Sequence, residues 1–139
     1  MPINALIVEP VWQRANITRS VRVNFNMKIV TDTITIDEIK KMAADMFGDM
    51  VKAVVDVERG IVAVDAELHS DLEALLLDDG SKQKNLWGIN IYPELVQDEF
   101  VEFDSLINIR PSQGNRSRGV ADKALCSKII GIVTKKVKR

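Results

Sequence analysis

The segment from Arg110 to Gly119 concentrates positive charge, because it holds three arginines and no acidic residue. Guanidinium groups bind phosphate and carboxylate through paired hydrogen bonds, and glycines allow a backbone to approach a ligand closely. The segment also leads into a predicted helix, whose first N–H groups would favour the same anions. The sequence therefore predicts an anion-binding loop that uses four side chains: Arg110, Asn115, Arg116 and Arg118.

A second group of reactive side chains surrounds a predicted β-hairpin and consists of Asp56, Asp65, Glu67 and His69. In the predicted pairing Asp56 and Asp65 are diagonal neighbours, close enough to share a proton or a cation. Crowded carboxylates raise one another's pKa, which suits general acid–base catalysis, and their oxygens suit Mg²⁺ or Ca²⁺. His69 precedes Glu73 by one helical turn, which brings the two side chains together. Further polar side chains fall on the same predicted sheet face: Glu58, Asn90, Tyr92, Glu102 and Asp104.

Each of these groups also has a purely structural interpretation. The arginines could pair with the protein's own carboxylates, and a polar outer face is normal for an antiparallel sheet. A lone histidine at a helix start is more often structural than catalytic, and Cys126, within an amphipathic helix, is expected to be half-buried and inert. The sequence contains no recognisable metal-ligand spacing, nucleotide loop or nucleophile triad. It therefore assigns no metal, names no cofactor and does not decide whether the protein is an enzyme.

The charge balance and the single cysteine narrow the class of protein. The chain has 19 basic and 20 acidic residues and a net charge of −1, whereas a dedicated nucleic-acid binder is normally strongly basic. Cys126 alone cannot form an intrachain disulfide or a multi-cysteine zinc site, and it favours a reducing compartment. The longest early apolar run, from Ala5 to Val8, is too short to span a membrane. We therefore expect a cytoplasmic protein that binds no membrane and whose partner is a small anionic molecule. The charge balance disfavours a nucleic acid but leaves room for a local basic patch.

Hydrophobic spacing predicts the elements that must position these residues. Thr35 and Glu38 form a capping-box pattern at the start of a first helix. The segments 51–58 and 61–65 predict a hairpin with a two-residue turn at Arg59 and Gly60, which pairs Val55 with Val64 on an apolar face. A second helix is predicted over 66–79, strands over 87–92 and 101–110, and a last helix over 121–138.

The predicted fold is an α+β domain with element order α-β-β-α-β-β-α. It has a four-stranded, largely antiparallel sheet with helices packed on one face. Residues 27–139 form this single domain. Residues 1–26 differ in composition, with three arginines, one acid and no lysine, and are predicted to be a dispensable N-terminal extension. The alternation of Val21, Val23 and Phe25 would alternatively suit an added edge strand.

Six segments of the chain together form a recognisable pattern: Lys52–Glu58, Glu67–Glu73, Gly80–Gln83, Leu86–Pro93, Phe103–Ser112 and Asn115–Arg118. Through these segments the chain, from residue 27 onward, resembles a family of small, uncharacterised prokaryotic proteins of unassigned function. The resemblance implies a prokaryotic, intracellular origin and places residues 1–26 outside the family pattern. It supplies no activity, cofactor or catalytic residue.

Three functional hypotheses remain open on the sequence alone. The first is a binding module for an anionic, phosphate-bearing ligand that uses the arginine loop. The second is a small acid–base or metal-assisted hydrolase or transferase that uses the carboxylate and histidine cluster. The third is a structural homodimer paired through an edge strand. Convergence of Arg110, His69 and the hairpin acids in one pocket would favour an enzyme, and an arginine loop remote from those acids would favour a binding protein.

Overall fold

The computed structural model of the protein describes residues 26–139, and within them the chain is an α+β domain, as predicted. Three α-helices span Ile36–Asp45 (α1), His69–Asp78 (α2) and Lys123–Lys136 (α3). The strands of this part of the chain are Lys28–Val30 (β1), Ile34–Thr35 (β2), Val51–Asp56 (β3), Ile61–Val64 (β4), Leu86–Ile91 (β5), Val101–Glu102 (β6) and Val137–Lys138 (β7).

The main sheet has five strands in the order β1-β4-β3-β5-β6, and each neighbouring pair is antiparallel. The predicted count of four is wrong, because the segment from Lys28 to Val30 adds an edge strand against β4. The strand predicted over 101–110 is also wrong, since only Val101–Glu102 pairs with β5. After β6 the chain turns through a 3₁₀ helix at Leu106–Asn108 instead. A separate pair joins β2 to β7 in parallel.

The β3–β4 hairpin differs from the prediction by a two-residue shift in register. Val55 pairs with Val62, not with Val64, and the turn spans residues 57–60. The cause is Asp56, whose carboxylate accepts the N–H groups of Glu58 and Arg59, both at 2.9 Å. Its carbonyl accepts the N–H of Gly60 at 2.9 Å. Because side chains alternate with period two, this shift leaves the apolar face of the hairpin unchanged.

Helices cover both faces of the sheet, so the predicted one-sided packing is wrong. One core cluster joins alternate strand residues such as Ala53, Val55 and Ile89 to α1 and α3. The other joins Val54 and its neighbours on the opposite face to α2, through Leu72 and Leu76. Since consecutive strand residues point to opposite faces, the strands are buried on both sides wherever α2 lies. α2 leaves part of this second face uncovered, next to its first residue, His69, and only that part of the face can remain polar.

Local signals explain where the helices begin. The predicted capping box is confirmed, with the Thr35 side chain accepting the Glu38 N–H at 3.1 Å. α2 begins at His69 rather than at residue 66, and its preceding residue, Leu68, provides no side-chain cap. α3 begins at Lys123, after Asp122. It stops at Lys136 because Val137–Lys138 pair with β2.

No helix of residues 26–139 is long and apolar enough to cross a membrane. The predicted extension at residues 1–26 lies outside the described residues except for Asn26, and so does the alternative edge strand at Val21–Phe25. Both remain predictions.

Candidate functional site

Arg110 lies under the predicted loop rather than on it. Its side chain is 9% exposed. The guanidinium donates to the carbonyl oxygens of Ile107 at 3.0 Å, Gln83 at 2.8 Å and Leu86. It also lies 4.7 Å from the ring centre of Trp87 and 3.6 Å from a Glu73 oxygen. Burial lowers the pKa of Arg110, and the charge of Glu73 opposes that change. Arg110 thus ties the loop to β5, and its donors are taken up inside the protein.

Asn115 is also buried and fixes the loop from within. Its Nδ2 donates to the carbonyl oxygens of Asn108 and Gly119, both at 2.7 Å. Its Oδ1 accepts the Ala121 N–H at 2.9 Å. Asn108 adds a second internal tie, because its side chain accepts the Gly88 N–H at 2.8 Å and donates to the Gly88 carbonyl at 2.9 Å. The Asn108 side-chain amide therefore makes the two hydrogen bonds to the Gly88 backbone that a neighbouring strand would otherwise make.

Arg116 and Arg118 are the exposed members of the predicted set. Arg118 Nε lies 2.5 Å from Asp104 Oδ1, whereas no hydrogen bond or ion pair to the Arg116 side chain is found within residues 26–139. The start of α3 is already occupied, since the Asp122 carboxylate accepts the N–H groups of Ala124 and Leu125 at 2.9 and 3.2 Å. The four predicted anion-binding residues therefore divide into two buried and two exposed side chains.

Asp56 belongs to a buried network at the hairpin turn. It is fully buried, and Ser81 Oγ donates to it at 2.6 Å. Arg59 donates from Nη1 to Ser81 Oγ at 2.7 Å and from Nη2 to Asp79 at 2.7 Å. Every contact of the Asp56 carboxylate is thus to a donor that holds the turn or the end of α2. These contacts give Asp56 a structural role at the turn.

The other three predicted catalytic residues lie apart from Asp56. Asp65 follows Val64 at the far end of the hairpin, so its predicted position diagonal to Asp56 is wrong. Burial, together with the charge of Asp45, raises the pKa of Asp65. Glu67 is exposed. His69 is buried, and its Nε2 lies 2.7 Å from the Ile89 carbonyl oxygen. Burial lowers the pKa of His69.

A cavity of about 270 Å³ lies between the turn at 111–115, β5 and the start of α3. We call it the loop pocket. Its apolar lining comes from Val57, Trp87, Val120 and Leu125, together with Ala121. Its polar lining comes from Lys84, Gln113, Gly114, Asn115 and Asp122. The residues of this pocket come from four separate parts of the sequence, and only Asn115 of the predicted site residues lines it.

A group of polar side chains, the Asn90 cluster, lies on the sheet face beyond the start of α2. It consists of Lys52, Asn90, Tyr92, Glu102, Asp104 and Arg118. Lys52, Asn90 and Glu102 are direct partners across three neighbouring strands. Asn90 Nδ2 donates to Glu102 Oε1 at 2.8 Å, and the Tyr92 hydroxyl donates to the same oxygen at 3.0 Å. In the sequence, alternation along β5 predicted Asn90 and Tyr92 on one face, and alternation along the next strand added Glu102. The same face was also assigned to Asp56 and Asp65 of the hairpin.

No group of three or more histidine, cysteine, aspartate or glutamate side chains with the geometry to hold a metal occurs in residues 26–139. Arg118 and Asp104 link the exposed part of the loop to the Asn90 cluster. Arg110 and Asn115 link its buried part to the wall of the loop pocket.

Comparison with protein families gives one match, over residues 28–136, to the family described as "Protein of unknown function (DUF5674)". The chain belongs to this family. The match confirms the resemblance to an uncharacterised family seen in the sequence, and the family description assigns no activity. Comparison with curated proteins and with solved structures finds no match. The geometry of the chain itself must therefore carry any argument about function.

Proposed function

We propose that the protein is a binding module for a small anionic ligand, carrying a phosphate or carboxylate group, that lies in the loop pocket. The observation that carries this proposal is the cavity of about 270 Å³ beside the Arg116-bearing loop. Ligand pockets typically measure about 300 Å³ or more, so this one suits a single ring or a short chain. Its mixture of an apolar wall and a few polar groups is the usual composition of such sites.

Two exposed cations supply the positive charge. Lys84 lines the pocket, and its ammonium group has no ion pair within the described residues. Arg116 follows the pocket residue Asn115 directly and is likewise unpaired within residues 26–139. The one acidic residue of the lining is Asp122, whose carboxylate already accepts two backbone N–H groups of α3. Lys84 and Asp122 balance in charge within the lining, so the net positive charge that a ligand would meet at this pocket comes from Arg116 beside it.

The apolar wall indicates what the rest of the ligand resembles. Trp87 is 4% exposed and is braced by the guanidinium of Arg110 on its ring. Val120 and Leu125 lie beside it in the same lining. A ligand that combines a compact apolar or ring-shaped part with an anionic group would satisfy both the wall and the cations. A bare anion bound beside this wall would gain its affinity from the cations alone.

An NMR titration of the full chain with inorganic phosphate tests this proposal. Backbone resonances of Gly114 and Asn115 and the indole N–H of Trp87 should shift together, and the shifts should weaken as salt is added. Lys84→Ala and Arg116→Ala should each reduce the affinity. Lys135→Ala, which removes an exposed lysine at the other end of α3, should leave it unchanged. If the chemical-shift changes centre on Arg118 and Asp104 and the pocket residues do not shift, the anion binds elsewhere and the proposal is contradicted.

The other two functions have less support. A hydrolase using the predicted cluster would need Asp56, Asp65 and His69 to converge, and they lie at separate places in the fold. A homodimer paired by strands would use β1 or β6, the edges of the five-stranded sheet. These strands have three and two residues, which offers a short ladder for a partner. A cytoplasmic location, suggested by the lone Cys126, remains part of the proposal.

A further inference from the structure

The Asn90 cluster contains a buried acceptor without a donor. Asn90 is 5% exposed, and its Oδ1 has no hydrogen-bond partner among the described residues. Its Nδ2 donates to Glu102 Oε1 at 2.8 Å and approaches the Asp104 carbonyl oxygen at 3.4 Å. Both of those partners are acceptors only, so the amide cannot be turned over to satisfy Oδ1. An unsatisfied buried acceptor destabilises the fold, and native proteins contain few of them.

The neighbouring side chains do not supply the missing donor. The single hydroxyl proton of Tyr92 is donated to Glu102, and Nε2 of His69 lies 2.7 Å from the Ile89 carbonyl oxygen. Lys52 lies directly opposite Asn90 across the strands, but its ammonium nitrogen lies 5.4 Å from the ring centre of Phe47. A donor for Asn90 must therefore come from a moved Lys52 or from a bound molecule.

The charges around Asn90 select the kind of donor. Burial, the hydrogen bond to Glu102 and the negative charges of Glu102, Asp49 and Asp104 together raise the pKa of Tyr92 to about 12. Two cations of the cluster, Lys52 and Arg118, face these three carboxylates, so the surroundings of Asn90 carry a small excess of negative charge. A positively charged group with several N–H donors fits such a place, because it can bond to the amide oxygen and to the carboxylates together. An anion does not fit.

We propose that the Asn90 cluster is a second ligand site, which binds the primary ammonium group of a small amine between Asn90 Oδ1 and the Glu102 carboxylate. The half-buried side chain of Lys52 turns aside to admit it. The three N–H donors of an ammonium group supply the bond that Oδ1 lacks and still reach Glu102 and Asp104. This site does not depend on the loop pocket, because it takes a ligand of opposite charge and shares no lining residue with that pocket.

An NMR titration of the full chain with n-butylammonium tests the site, with butyltrimethylammonium as the matched probe that keeps the charge but has no N–H donor. The side-chain amide of Asn90 and the backbone of Tyr92 should shift saturably with the primary amine and not with the quaternary one. Glu102→Gln should weaken binding about tenfold or more, since it removes a charge-assisted hydrogen bond. Glu99→Gln, an exposed change on the preceding turn, should leave the affinity unchanged.

Three results would overturn the proposal. Equal shifts with both amines would show attraction by charge alone. The absence of any saturable shift at Asn90 would show that the amide accepts no external ammonium. A response that appears only in Lys52→Met would show that the protein's own ammonium fills the position in the wild type. Binding of the primary amine that persists in Lys52→Met at equal or higher affinity supports the site.

Discussion

Substitution of Arg110 should destabilise the fold rather than silence a binding site. Arg110→Ala removes the donor of the buried Leu86 carbonyl oxygen and of the half-buried Ile107 and Gln83 carbonyl oxygens. A buried, unsatisfied oxygen costs about 1–3 kcal/mol. It also leaves Glu73, whose side chain is 13% exposed, without its partner. Local relaxation and water entry recover part of this, so we expect a net loss of about 3–5 kcal/mol.

That loss is a large fraction of the stability of about 5–15 kcal/mol that is usual for a domain. Urea unfolding followed by far-UV circular dichroism measures it. With a slope of about 2 kcal/mol per M, the midpoint should fall by about 2 M. Arg110→Lys should lie between wild type and alanine, because one ammonium cannot span three carbonyl groups. The matched control is Arg116→Ala, which should change stability by less than about 0.5 kcal/mol. Equal midpoints for Arg110→Ala and Arg116→Ala would refute the structural role of Arg110.

Three further predictions concern the stability of the fold. Gly88→Ala should destabilise the fold by about 1–3 kcal/mol, because a Cβ atom there would lie 2.6 Å from the Ser105 Cβ. Ser105→Gly in the same chain should recover part of that loss, because it removes this contact but also removes the hydroxyl that accepts the Ile107 N–H. Gly131→Ala, whose added Cβ would have nothing within 4 Å, should raise the free energy of unfolding by about 0.5–1 kcal/mol. Burial lowers the pKa of His69 in the folded protein, so the unfolded chain takes up a proton at higher pH than the folded one. The contribution of His69 to the free energy of unfolding should therefore be full above about pH 6.5 and decrease as the pH falls below it. His69→Gln should remove this pH dependence between pH 7.5 and 5.5, and an unchanged pH dependence would show that it does not come from His69. A chain that begins at Met27 should have a free energy of unfolding within about 1 kcal/mol of that of the full chain. A larger loss of stability would show that residues 1–26 belong to the domain.

Local signals were sufficient to predict much of the fold. Thr35 and Glu38 specify a helix start through hydrogen bonds within four residues, and the structure contains this capping box. The apolar face of the β3–β4 hairpin was also correct, because period-two alternation survives a shift of two residues. The exact register was not predictable from alternation. It is set by the Asp56 carboxylate, which holds a longer turn than the Arg59-Gly60 pair suggests.

The candidate site was harder to predict, because polar residues with the same sequence signal have different roles. Arg110, Arg116 and Arg118 look alike in the sequence, yet Arg110 is bonded to the carbonyl groups of Gln83 and Leu86, which are distant in the sequence, and Arg116 is exposed. Alternation predicted a strand through Asn108, but the residue instead bonds to the Gly88 backbone with its side chain. Such contacts join residues about 20 or more positions apart, and no local pattern encodes them.

The most direct test of the loop pocket compares phenyl phosphate with inorganic phosphate, using the indole N–H resonance of Trp87 as the reporter. The pocket offers cations and an apolar wall, so the ring should add affinity. Burial of about 60 Å² of ring surface, at about 25 cal/mol per Å², is worth about 1.5 kcal/mol or about tenfold. The account predicts that phenyl phosphate binds about tenfold more tightly, that both ligands shift the Trp87 resonance, and that Lys84→Ala weakens both. Equal affinities, or a Trp87 resonance that neither ligand moves, would contradict it.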